Sequence, residues 1–262
     1  MADEPIDKCK RQLRDDLADV IAALEFATSA VRTYASAGDI LPYVVSQAEL
    51  RNVITAFRAV RLGDSNILFQ SLYVQAWSAF ELFIRALVVS YVEEVSLRRS
   101  DFASLDKSKL IERNFFHTGV ALQQIFDNRS NTTIDFYSIA RNIGTAIPGS
   151  DKVTLNAGTF CMFLGGPSVH GIEEALKRIG FKDFDWDEIG RAKAVQNAFG
   201  ARKVRETKTL VTNFLRDAEK SRNNIVHRGE AIQSIAETDI RECVAAFNAI
   251  GDALAEFLKK RI

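Results

Sequence analysis

The sequence predicts an all-α protein, and three observations carry that reading. Apolar residues recur at three- and four-residue intervals over several long stretches, the period of one face of a helix. Only four prolines and fourteen glycines interrupt 262 residues, which suits long helices and few tight turns. The chain is 47% hydrophobic and 26% charged, enough apolar material for a substantial core in one large or two small domains, and too much for disorder.

Taken in order, Leu13, Leu17, Val20, Ile21, Leu24 and Val31 mark an amphipathic helix from about Asp7 to Ala35, broken by Gly38 to Pro42. Ser46 and Glu49 have capping-box spacing and open a second helix through about Leu62, closed by Gly63. A third helix, from about Asn66 to Leu97, carries two apolar sides. One holds Leu68, Leu72, Gln75, Ala79, Leu82, Ala86 and Val89, the other Trp77, Ile84, Val88 and Tyr91, as expected of a helix buried on most of its surface. Its most apolar part, Trp77 to Val92, contains Glu81 and Arg85 and is short for a bilayer.

Between about 101 and 200 the pattern is less regular. Helices are expected over Ser108 to Phe126, Asn131 to Ile143 and Ser168 to Ile179, with Lys152 to Leu155 and Thr159 to Leu164 as short strands or extended loop. The acidic, aromatic stretch Phe181 to Glu188 reads as a loop pinned to the core by Phe184 and Trp186, with partner docking as the alternative. His117 and His170 have no Cys, His or acidic neighbours at ligand spacing and read as structural.

From Val204 a further helix places Val211, Phe214, Leu215, Ala218, Ile225 and Val226 at helical intervals, and Gly229 stops it. At about 100° per residue, Arg222 falls beside Val211, Leu215 and Ala218 and starts from the inward side. His227 lies roughly 140° further round, among Asn223, Lys220 and Arg216. A histidine followed by Arg-Gly is also an ordinary helix C-terminus, so the spacing alone decides little. An inward arginine needs an acceptor. Glu81, on the Trp77–Ile84 stripe, supplies one reading of that acceptor; an i,i+4 pair with Arg85 is the other reading of Glu81. A last helix from about Glu237 to Arg261, with Ile240, Val244, Phe247, Ile250, Leu254 and Phe257 on one stripe, is expected to pack antiparallel on the Arg222 helix.

A formal net charge of +0 points to neither nucleic acid nor membrane, so any basic surface has to be local. Cys9, Cys161 and Cys243 stand far apart without metal-ligand spacing, which suits a reducing, cytoplasmic compartment. The N-terminus shows no basic stretch followed by an apolar run, so no secretory signal is expected.

The segment Arg222-Asn223-Asn224-Ile225-Val226-His227, near the end of a penultimate helix and followed by Arg228-Gly229 and a final amphipathic helix, resembles the signature of the HEPN superfamily (higher eukaryotes and prokaryotes nucleotide-binding domain). Trp77 to Leu87 is similar to the early helix that contributes a polar or acidic residue to the same cleft in that superfamily. The likeness covers about 66–97 and 204–262, and within the superfamily it is most similar to bacterial RiboL-PSP-type proteins.

The resemblance implies one HEPN-like antiparallel helical bundle over 1–262, with 101–200 as an insertion, and a homodimer. In active members it implies a metal-independent endoribonuclease of toxin–antitoxin or anti-phage systems, without cofactor, acting on an RNA substrate and paired with a cognate antitoxin or defence partner. Arg222 and His227 are then the catalytic candidates, with Asn223 orienting the imidazole and Glu81 orienting the guanidinium. Two alternatives stand beside it: a non-catalytic HEPN adaptor that binds a nucleotide or a protein, and an all-α interaction protein in which the Arg/His spacing is incidental.

Overall fold

A computed structural model describes residues 4–40, 65–127, 135–228 and 234–262, without the side chains of 30–40, 65, 125 and 228. The described residues form helices and no strand. Four helices are long: α1 (Pro5–Ile40), α2 (Ser65–Arg98), α10 (Val204–Arg228) and α11 (Glu237–Lys259). Seven shorter ones lie between α2 and α10. They are α3 (Phe102–Lys107), α4 (Leu110–Phe126), α5 (Phe136–Thr145), α6 (Ala157–Phe160), α7 (Val169–Arg178), α8 (Asp187–Gly190) and α9 (Lys193–Ala198). The expected helix over 46–62 and the stop at Gly229 lie outside the described residues.

Helix α2 organises the rest. Leu72, Tyr73, Ala76, Trp77, Phe80, Phe83, Ile84, Leu87, Val88, Tyr91, Val92 and Val95 are all buried, because α1, α6, α7, α10 and α11 each pack against it. Between Ser71 and Ala86 only a narrow line is exposed, through Ser71, Gln75, Ser78, Leu82 and Ala86. That corrects the expected first stripe: Leu72 and Ala79 go inward, but Leu82 is 62% exposed. With apolar residues on nearly every side, the sequence leaves open which seam faces water. By length and composition alone α2 is apolar enough to cross a membrane, with mean hydropathy 1.4 over its best window, but half of that window is buried inside the protein.

Helix α1 offers Ile6, Cys9, Leu13, Leu17, Val20 and Leu24 to this core, one residue per turn, and continues through Gly38 to Ile40. On α11 the expected stripe is buried throughout, from Ile240 to Phe257. Phe247 sits at the junction. Its ring stacks on Phe80 at 4.5 Å between centroids and meets Trp77 at 6.1 Å and Phe214 of α10 at 5.5 Å, edge to face. Salt bridges from Lys10 to Glu256 at 2.8 Å and Lys259 to Asp7 at 2.9 Å rim the α1–α11 seam; exposed pairs of this kind add roughly 1 kcal/mol or less each.

The expected side-by-side pairing of α10 with α11 is not what forms. Phe214 touches Phe247, but α8 and α9 pack against both helices and occupy most of the seam. The end of the intervening chain, less regular in its sequence pattern, forms a wedge between them. Its anchors are those expected: Phe184 contacts Trp186 at 5.2 Å and Phe257 at 5.1 Å, and the buried Trp186 donates Nε1–H to Glu173 at 2.8 Å. Residues 152–156 form an extended segment, tied to the end of α2 by Val153 N–H donating to the Ser100 carbonyl at 2.7 Å, whereas Thr159 and Phe160 lie in a helical turn rather than a strand.

Gly251 lets α11 approach α1 and α2. A Cβ there would stand 2.5 Å from Leu13 Cδ2 and 3.2 Å from Phe83 Cε1, so even a methyl group has to displace a neighbour. Gly251→Val is expected to destabilise the fold by about 1–3 kcal/mol through overpacking, read as a lower urea midpoint at unchanged slope. Unchanged stability contradicts this close approach.

Candidate functional site

Helix α10 buries Val211, Leu215 and Ala218 and half-buries Phe214 and Ile225 against the core, so its inward face is the expected one. Val226 departs from it, at 47% exposed. Five residues separate Arg222 from His227, a rise of about 7.5 Å and a turn of roughly 140°, and the burial follows that angle. Arg222 is half-buried and His227 is exposed near the helix end.

The acceptor for Arg222 differs from the expected one. Its Nη1 donates to Asn223 Oδ1 at 3.0 Å, while its buried Nε has no hydrogen-bond partner among the described residues. Glu81 instead accepts from Arg85 Nη2 at 2.9 Å, and the same nitrogen donates to the Leu164 carbonyl at 2.7 Å. The i,i+4 reading of Glu81 therefore holds, and Glu81 leaves the site. The physical reason is local: a partner one turn away on the same helix needs no further docking, and the Leu164 carbonyl fixes the Arg85 guanidinium beside it. Asn223, expected to steer the imidazole of His227, serves Arg222 instead.

Beside this helix runs a groove of about 620 Å³ lined by Tyr73, Phe199, Phe214, Asp217, Ser221, Asp239, Glu242 and Cys243. It adjoins Arg222 through Ser221, and its charged groups are carboxylates. Burial first, then the neighbouring Cys243, Asp239 and Asp217, push the Tyr73 phenol up, against a lowering hydrogen bond from Ser221. Burial likewise raises the Cys243 thiol, so neither group offers an anionic nucleophile near neutral pH.

The other two histidines sit apart from α10. His170 is exposed at the start of α7. His117 contacts Phe160 at 5.1 Å and is held neutral, pushed down to about 4 by burial first, then by Arg178 and Arg113. Next to it lies a polar cluster that sequence reading passed over: Asn114, Thr118, Asn156 and Thr159, all buried. Asn114 and Thr118 are one turn apart on α4, but their partners come from about forty residues later, and no local pattern reveals such a meeting.

No protein-family model, curated protein or solved structure matches the chain significantly.

Two outcomes follow from this geometry. Asn223→Ala is expected to free the Arg222 guanidinium and change its environment, seen as a shift of the arginine side-chain resonances, whereas Glu81→Gln leaves them in place; the reverse pattern restores Glu81 to the site. His117 binds a proton near 6.5 in the unfolded chain and near 4 in the fold, so the unfolded state holds more protons between those values and stability falls as pH drops from about 6.5 to about 4. His117→Gln is expected to flatten that part of the denaturation-midpoint profile.

Proposed function

We propose that the protein is a metal-independent endoribonuclease of the HEPN type, acting in a toxin–antitoxin or anti-phage system, with Arg222 and His227 as the reacting pair. The observation that carries the reading is the division of labour on α10: a guanidinium rooted at the core and held by Asn223, one and a half turns from an exposed imidazole. RNA brings its own nucleophile, so a protein needs to move protons and offset charge on the phosphorane, and these two side chains suit the two tasks.

In the proposed reaction one imidazole takes the proton of the 2′-hydroxyl as its oxygen bonds to phosphorus. The bond to the 5′-oxygen breaks, a second, protonated imidazole gives that oxygen a proton, and a 2′,3′-cyclic phosphate remains. One chain supplies only one such histidine on α10, which is why the reading includes a homodimer that brings two Arg222/His227 pairs to one phosphate. Asn223 holds the guanidinium through Nη1, the task first assigned to Glu81.

A second reading, a non-catalytic adaptor that docks a protein partner, is favoured by one feature. The groove beside Arg222 carries Asp217, Asp239 and Glu242, which repel a phosphate backbone and attract a basic protein surface.

Cleavage of single-stranded RNA with metal chelated separates the two. His227→Ala is expected to slow cutting by about 100-fold or more and Arg222→Ala by a comparable factor, with dimerisation and melting temperature unchanged and 2′,3′-cyclic ends on the wild-type products. Cutting that survives His227→Ala, or that needs a divalent metal, rules the nuclease out; clean RNA with no products leaves the adaptor.

A further inference from the structure

The C-terminal half of α2, the start of α5 and the segment 152–156 line an open cavity of about 700 Å³. That is within the range, roughly 300–1,000 Å³, that takes a small ligand. Its chemistry is specific. Ile139, Val153 and Leu155 form apolar walls, and Asn142, Thr154 and Asn156 present amides and a hydroxyl between them.

These polar groups are held from behind by the buried cluster of α4. Asn156 N–H donates to Asn114 Oδ1 at 2.7 Å and Asn156 Nδ2 donates to Thr118 Oγ1 at 3.2 Å, while Thr159 Oγ1 donates to the Asn156 carbonyl at 2.7 Å. Asn142 Nδ2 donates to Asn156 Oδ1 at 2.9 Å. Burying four polar side chains carries a desolvation cost that apolar packing avoids, and here the result is a fixed amide edge. No other hydrogen bond engages the Asn142 amide among the described residues, so its Oδ1 and its second N–H are left for a ligand.

The charges narrow the ligand. One cation, Lys152, faces two carboxylates, Glu93 and Asp135, so a phosphate or other anion is disfavoured. A flat, uncharged ring with a donor and an acceptor on one edge fits between aliphatic walls and against a side-chain amide, which is how asparagine reads a base edge.

We propose that this cavity binds an uncharged nitrogen heterocycle of nucleobase or nucleoside size, with Asn142 reading its edge. The site lies apart from Arg222 and His227, and it stands whether or not the protein cuts RNA. Gly158 provides a test, because it lines the cavity and a Cβ on it meets nothing within 4 Å, so a leucine there adds bulk at the lining without a clash at its Cβ.

Calorimetric titration of the full chain with adenosine, guanosine, cytidine and uridine, each beside its 5′-monophosphate, is the experiment. At least one nucleoside is expected to bind with Kd below about 1 mM, and at least about tenfold tighter than its monophosphate, the loss expected from meeting uncompensated carboxylates. Gly158→Leu is expected to abolish binding at unchanged melting temperature, and Asn142→Ala to weaken it about tenfold, near the 1.4 kcal/mol of one hydrogen bond. No binding by any of the four at millimolar concentration, equal binding of the monophosphate, or binding that survives Gly158→Leu overturns the proposal.

Discussion

The fold depends on one aromatic junction. Phe247 of α11 lies fully buried against Phe80 and Trp77 of α2 and Phe214 of α10, so three of the four long helices meet through one ring, and Phe199 adds the wedge helix α9 through its contact with Phe214 at 5.6 Å. Rings this large remove much apolar area from water for little side-chain entropy, and stacked and edge-on contacts fix angles that aliphatic packing leaves loose. What α10 presents to solvent follows from that. With Phe214 locked inward, every position further along α10 has its angle set, which turns Arg222 part-way in and His227 out.

This explains which parts of the molecule were legible beforehand. The helices α1, α2, α10 and α11 could be read because each repeats a hydrophobic period over many turns, and the period survives any arrangement of neighbours. Leu82 was misplaced because α2 is apolar almost all round, so period alone does not say which strip is left bare. The wedge of α8 and α9 was illegible for another reason: helices of one or two turns are set by what they pack against, and Phe184, Trp186 and Phe199 find their partners far along the chain. Glu81 shows the same limit in electrostatics. Two partners are acceptable from the residues alone, and the Leu164 carbonyl, which fixes Arg85 one turn from Glu81, adds a contact that no local pattern announces.

The electrostatic setting of α10 has two sides. Among the described residues the buried Nε of Arg222 has no partner, and a donor left so costs roughly 1–3 kcal/mol. An incoming acceptor relieves that cost, which is the sense in which such an arginine is poised for an anion. The adjoining carboxylates Asp217, Asp239 and Glu242 act in the other direction, because they line the groove that reaches Arg222 through Ser221. The acidic groove therefore restricts the path of a polyanion.

Helix α2 joins the two regions of interest and keeps them apart. Tyr73 lines the acidic groove near its start and Ser96 lines the amide-edged cavity near its end. Twenty-three residues of helix between them span about 35 Å. Over that length α2 is buried by α1 and α11 on successive turns, so it transmits displacement as a rigid rod rather than by bending. The aromatic junction stands between the two regions, because Trp77 and Phe80 lie on α2 between Tyr73 and Ser96 and both bear on Phe247.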